Sequence, residues 1–266
     1  MRILIAFLLL LSVPAPLWAS QTLWQDVAPD VKMRLVASNS VTPEGTTWIG
    51  LEIEMPDDTK TYWRVPGESG IPAKFDFARS QGLTGHTVAW PMPMRETDKG
   101  YIDHVYYGHT VLPLELDIDA DEVLIDVDIV LGICSDVCVP VAAQFTQHLD
   151  FAQPDRANGL RIDQARALVP VQWNGQNDLF GAASFDAQAR TIMVAVEPAG
   201  YDMGSVIAHV ANSMALFGPP ELDETNGVLI FPLLGNGKTA PRDGDRLHLT
   251  FLTGNGAYEV VSVLDF

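Results

Sequence analysis

Apolar and polar residues alternate with a period of two along much of this chain. Ile49, Leu51, Ile53 and Met55 alternate with Gly50, Glu52 and Glu54. Leu112, Leu114, Leu116 and Ile118 repeat the pattern, as do Val123, Ile125, Val127, Ile129 and Leu131, and a shorter run places Met33 and Leu35 between Lys32 and Arg34. Successive side chains of a β-strand point to opposite faces, so each run predicts a strand with one apolar and one wet face. Clusters of turn formers separate the runs: Thr42-Pro43-Glu44-Gly45, Met55-Pro56-Asp57-Asp58 and Asp119-Ala120-Asp121. Many short strands with little helix predict antiparallel sandwiches.

The pattern breaks at Phe151-Ala152-Gln153-Pro154-Asp155, which reads as a linker. A short helix is expected around Ile162–Leu168, ended by Pro170. Strands then resume near Ile192–Val196, Val228–Phe231, Leu247–Leu252 and Tyr258–Leu264, and Gly254-Asn255-Gly256 marks a tight hairpin between the last two. The 266 residues therefore divide into a leader over 1–19, a first β domain over 20–152 and a second over 156–266.

The leader reading rests on Arg2 followed by the apolar run Ile3–Val13 and on the small Ala19 at the cleavage position. Pro14 and Pro16 end that run before it reaches membrane-spanning length, so cleavage and export are expected rather than anchoring. Sixteen Lys and Arg against 34 Asp and Glu give a formal charge of −18. A chain this acidic repels nucleic acid and anionic membrane surfaces.

Only two cysteines are present, in Ile133-Cys134-Ser135-Asp136-Val137-Cys138-Val139-Pro140. They follow one alternating run and precede another, Val141, Ala143 and Phe145, which places them at a hairpin tip. Residues four apart in a straight strand lie about 13 Å apart. A disulfide needs Cα atoms within roughly 4.4–6.8 Å. Ser135-Asp136-Val137 must therefore turn back if the pair is bonded, and Ser and Asp suit a turn. Closing so small a loop stabilises by roughly 2 kcal/mol, against about 4.7 for a 100-residue loop, so a purely structural staple gains little. Close spacing suits dithiol exchange, in which the second thiol resolves a mixed disulfide formed at the first. Metal binding and an inert staple remain open on this spacing alone.

An ordered set of motifs carries a family resemblance. Thr61-Tyr62-Trp63-Arg64-Val65-Pro66-Gly67-Glu68-Ser69-Gly70-Ile71-Pro72 is followed by Phe75-Asp76-Phe77, Trp90-Pro91-Met92-Pro93-Met94-Arg95, Gly100-Tyr101, Leu112-Pro113-Leu114 and Cys134–Pro140. The stretch, about residues 30–150, resembles the N-terminal periplasmic domain of the DsbD family of thiol:disulfide interchange proteins, and more closely that of the related ScsB proteins. The resemblance implies two immunoglobulin-like antiparallel β-sandwich domains, an all-β chain. It also implies a periplasmic reductase component, without a cofactor, that takes electrons from a separate membrane donor and passes them to thioredoxin-fold partners. Cys138, followed by one residue and Pro140, becomes the partner-facing thiol and Cys134 the resolving thiol. A cap loop is implied near Glu96–Tyr101, with Tyr101 as the shielding aromatic where DsbD has Phe. The spacing of three residues between the cysteines is shorter than in DsbD.

Two other functions compete. A Cys-x3-Cys pair followed by Pro also resembles the copper loop of the Sco family, and two thiolates with His104, His109, Met92 or Met94 would favour Cu(I). Sco proteins, however, have helices between strands, which this pattern lacks. A non-catalytic adaptor would use the disulfide only to fix a loop. Trp48, Trp63 and Trp90 are expected in the core on every reading. Asp117, Asp119, Asp121 and Glu122 lack the calcium-loop spacing and read as a solvated turn.

Overall fold

The computed structural model describes residues 20–97, 100–175, 177–197, 200–211, 213–235 and 240–266. The expected leader, residues 1–19, lies outside them, as do residues 98–99 of the expected cap. In chain order the first strands are β1 (Gln25–Ala28), β2 (Val31–Val41), β3 (Thr46–Glu54), β4 (Lys60–Gly67), β5 (Lys74–Asp76), β6 (Leu83–Val88), β7 (Met94–Glu96), β8 (Asp103–Tyr107), β9 (Thr110–Ile118), β10 (Val123–Cys134) and β11 (Cys138–Leu149). Helix α1 (Arg156–Arg166) follows. The remaining strands are β12 (Val171–Gln172), β13 (Phe180–Asp186), β14 (Thr191–Val196), β15 (Asp202–Val210), β16 (Glu221–Asp223), β17 (Val228–Pro232), β18 (Arg246–Thr253) and β19 (Gly256–Asp265).

The protein is an all-β, immunoglobulin-like structure built almost wholly from antiparallel pairs. One sheet runs β1-β2-β3-β9-β6 and a second runs β11-β10-β4-β8-β7, with β5 beside β10. Their apolar faces meet in one cluster: Met33, Leu35, Ile49, Leu51, Ile53, Leu112 and Leu114 from the first sheet face Val123, Ile125, Val127, Ile129, Leu131, Phe145 and Trp63 from the second. These are the alternating positions of the sequence, and each fully buried aliphatic side chain stabilises the sandwich by roughly 1.5–3 kcal/mol. The third sheet has eight strands, β15-β18-β19-β13-β14-β17-β16 with β12 on β19. It closes over a separate cluster that includes Phe180, Phe185, Ile192, Val194, Leu229, Phe231, Leu249 and Phe251. Two short parallel pairings occur there, β12 with β19 and β13 with β19. The β18–β19 hairpin turns at the expected Gly254-Asn255, where Thr253 pairs with Gly256.

Three local expectations need correction. The helix begins at Arg156 rather than near Ile162, because Asp155 caps it: the Asp155 side chain accepts from the Asn158 N–H at 2.9 Å. The wet face expected for β3 stays exposed only at Glu54, because α1 lies across β2, β3 and β9 and covers Gly50 and Glu52. A Cβ on Gly50 would lie 3.3 Å from Ile162, and Glu52 is buried there among Arg34, Arg161 and His109. Burial alone would raise the Glu52 pKa, but its bonds to His109 and Arg34 hold it below the usual value. Finally, Trp63 is core and Trp90 packs partly buried against it, but Trp48 is only half-buried, with the Arg166 guanidinium 3.9 Å over its ring.

Candidate functional site

Strand β10 and strand β11 form an unbroken ladder from Val123↔Leu149 to Cys134↔Cys138, so the pair closes the hairpin tip. Cys134 and Cys138 are joined by a disulfide, with Cα atoms 4.0 Å apart. Ser135, Asp136 and Val137 make the exposed turn between them. Odd-numbered side chains of both strands point into the sandwich, so both cysteines lie on its outer face. They differ in cover: Cys134 is 3% exposed, whereas Cys138 is partly exposed.

The cover over Cys134 comes from β4 and β8. Lys60 pairs with Cys134 across the strands, so Tyr62, two residues on, shares the same face. Tyr62 and Val105 form a small cluster with Cys134, joined by Tyr107 and Cys138. The Tyr62 hydroxyl lies 3.2 Å from Cys138 Sγ. Burial raises the Tyr62 pKa above the usual phenol value, so the hydroxyl keeps its proton near neutral pH. Gly132 is needed for this approach: a Cβ there would lie 3.0 Å from the Tyr62 ring and 2.8 Å from Ile71 Cβ.

A buried ionic cluster braces the neighbouring strands. Lys60, 1% exposed, bonds Glu96 on β7 and lies 3.2 Å from Asp103 on β8. Asp103 also accepts from the Ser69 N–H at 3.0 Å and from its hydroxyl. Burial by itself would lower the Lys60 pKa; the hydrogen bonds that Lys60 donates to Glu96 and Asp103 outweigh it and raise the pKa. The loop bearing Ser69 leaves β4 at Gly67, whose φ of +102° and 2.2 Å Cβ approach to the Ile102 carbonyl exclude a side chain.

The expected shield, Tyr101, is half-buried and lies just before β8. Its ring centroid is 5.6 Å from Lys60 Nζ, against 5.7 Å for Tyr62. Tyr62, with its hydroxyl 3.2 Å from Cys138 Sγ, and Tyr107 are the aromatics of the cysteine cluster, and the sequence reading assigned neither that place. The position of Tyr62 in Thr61-Tyr62-Trp63, opposite the cysteine strand, was the signal available.

The copper candidates are dispersed. His104 is buried, with Nδ1 2.9 Å from the Val65 carbonyl oxygen, and His109 Nε2 lies 2.9 Å from Glu52. Met92, Met94 and His109 line a cleft beside α1 that neither cysteine lines. Among the described residues no group of three or more His, Cys, Asp or Glu side chains forms a metal set.

Residues 31–150 match the family model "Thiol:disulfide interchange protein DsbD, N-terminal". That segment belongs to the DsbD N-terminal family. The DsbD-type segment holds every residue of the cysteine site described above. The crystal structure of the N-terminal periplasmic domain of ScsB from Proteus mirabilis superimposes with a TM-score of 0.69 at 22% identity, covering 93% of this chain and 99% of that one. The similarity thus extends beyond the DsbD-type segment to the fold of the second half. No curated protein matches the chain. Among the described residues, no helix is long and apolar enough to cross a membrane.

Proposed function

We propose that the protein is a periplasmic thiol–disulfide exchange component that works through Cys134 and Cys138. The observation that carries this reading is the asymmetry of the pair: within a DsbD-type segment, one sulfur is buried and the other is reachable at a hairpin tip. In the reduced state the Cys138 thiolate attacks one sulfur of a partner disulfide. A Cys138–partner disulfide forms and the partner's other sulfur leaves as thiolate. Cys134 then attacks the Cys138 sulfur, re-forming the intramolecular bond and releasing the second partner thiol. Two electrons pass to the partner, whose two sulfurs end as thiols, and the pair is oxidised. A separate membrane donor reverses the process by reducing Cys134–Cys138.

The Tyr62 hydroxyl favours this order of events. A donor beside Cys138 stabilises its thiolate, which is both the attacking form and the better leaving group. Tyr101 acts as the cap residue beside the pair, the role that the DsbD resemblance implies for it. To test the function, reduced protein is mixed with an oxidised thioredoxin-fold protein in the presence of a metal chelator. Stoichiometric loss of the partner's disulfide is expected. Retention of that disulfide, with the cysteines of this protein still reduced, would reject the reading.

A further inference from the structure

Strand β11 lies at the margin of its sheet. In an antiparallel strand, successive residues direct their N–H and C=O to opposite sides within the sheet plane. The backbone groups of β10 that bond the Ser80–Gln81 loop and the Thr61 hydroxyl, away from β11, sit on even-numbered residues. Leu124 exchanges bonds with Gln81, Asp126 meets the Ser80 hydroxyl through both its N–H and its C=O, and the Gly132 carbonyl accepts from Thr61. The odd residues therefore carry the β10–β11 ladder. Paired residues share parity throughout this register, so the even residues of β11 face outward.

Three further features agree. The Gln144 carbonyl accepts from the Gln25 side chain at 2.7 Å, so it points away from β10. Pro140, which has no N–H, occupies an outward slot where no ladder bond is lost. The 4.0 Å Cα separation of Cys134 and Cys138 fits the narrow, non-hydrogen-bonded type of pair. Cys138 thus presents its own N–H and C=O at the free edge, beside its sulfur. Among the described residues no turn, loop or side-chain hydrogen bond reaches either group. Gln25 covers the far end of the edge at Gln144, leaving Cys138–Ala142 open. Val137 and Val139, 70% and 40% exposed, add apolar surface at the tip, Val137 in the turn before Cys138 and Val139 on the strand face opposite the sulfur.

We propose that Cys138–Ala142 is a docking edge for an extended backbone segment of the redox partner, adjacent to the partner's cysteine. The proposal rests on the exchange function above and adds how the partner is held. The partner strand pairs with the N–H and C=O of Cys138, and uncharged side chains of that segment lie against Val137 and Val139. Main-chain pairing gives affinity without requiring one partner sequence. Pro140 limits the pairing to a short bridge, which holds a partner briefly and blocks open-ended sheet growth.

The test uses the full chain carrying Cys134→Ser. Cys138 is linked either to a hexapeptide of alternating Val and Thr with one central cysteine or to 2-mercaptoethanol, and amide hydrogen exchange is read by NMR. Exchange of the Cys138 N–H is expected to slow at least about fivefold in the peptide adduct relative to the mercaptoethanol adduct, the effect of one net hydrogen bond. The slowing should vanish when the peptide carbonyls that would accept it are moved out of reach by a D-proline beside the cysteine. Equal exchange in the two adducts would overturn the docking edge while leaving disulfide exchange standing. Failure of Cys138 to form a mixed disulfide with either thiol would overturn the exchange function and the docking edge together.

Discussion

Tyr62 illustrates how one residue on an outer sheet face can set the chemistry of another. Its hydroxyl is 3.2 Å from Cys138 Sγ and stays protonated because burial raises its pKa. A donor to the thiolate lowers the thiol pKa. Tyr62→Phe is therefore expected to raise the Cys138 pKa by about 0.7 unit, the equivalent of a net hydrogen bond of about 1 kcal/mol. The pH profile of iodoacetamide alkylation in the Cys134→Ser background measures it, and an unchanged profile would show that the contact is only packing. The cysteines themselves were legible in the sequence, since they are the only two and sit between alternating runs. Tyr62 was legible only as part of a motif: which aromatic reaches the sulfur depends on strand pairing, Lys60 with Cys134, that no local pattern encodes. Trp48 was misplaced although the alternation with Ile49 and Leu51 puts it on the outer face of β3, where Arg166 covers only part of it.

At the scale of elements, the β10–β11 hairpin holds its register through twelve residue pairs without a bulge. The disulfide closes only the last of these, and the loop it encloses contributes roughly 2 kcal/mol. Reduction is expected to lower the melting temperature by about 4–8 °C, with the fold intact. Circular dichroism melts of the oxidised and reduced forms check this, and loss of the β signal on reduction at 25 °C would mark the bond as a staple. The strands of this hairpin and of β3 and β9 were readable because one face of each enters a core, and burial enforces period two. The outer face of β3 was misread as wet, since alternation says nothing about a helix that later covers it. Asp155 three residues before Asn158 held the true signal for the helix start, a side-chain cap.

Across the whole molecule, β4 joins the redox site to the second half. Tyr62 faces the cysteines, Trp63 fills the core and Arg64 pairs with Glu259 of β19. His104 and His209 stand edge-on to Trp63, with ring centroids 5.6 and 5.8 Å away, and Arg95 donates to the Gly204 and Val206 carbonyls. Burial lowers the His104 pKa to about 4 and, with the Arg64 charge adding to it, that of His209 to about 3, from 6.5. Burial would raise the Glu259 pKa, but bonds to His248 and Arg64 bring it to about 2. Below pH 6.5 the unfolded chain binds imidazole protons that the fold excludes. Stability is therefore full above pH 6.5 and falls as the pH drops towards 4 and 3, by on the order of 3 kcal/mol for His104 alone. The Glu259 contribution is present above pH 4.5 and is lost towards pH 2. Urea unfolding between pH 7.5 and 4 checks the slope, and His209→Phe should flatten it. The most direct test of the exchange function is to express Cys134→Ser and Cys138→Ser separately in the exported compartment and resolve the covalent complexes on non-reducing gels. With Cys138 as the partner-facing thiol and Cys134 as the resolver, Cys134→Ser should accumulate mixed disulfides that dissolve on reduction, and Cys138→Ser should not. Complexes on Cys138→Ser alone would reverse the roles, and complexes with neither variant would contradict the exchange function.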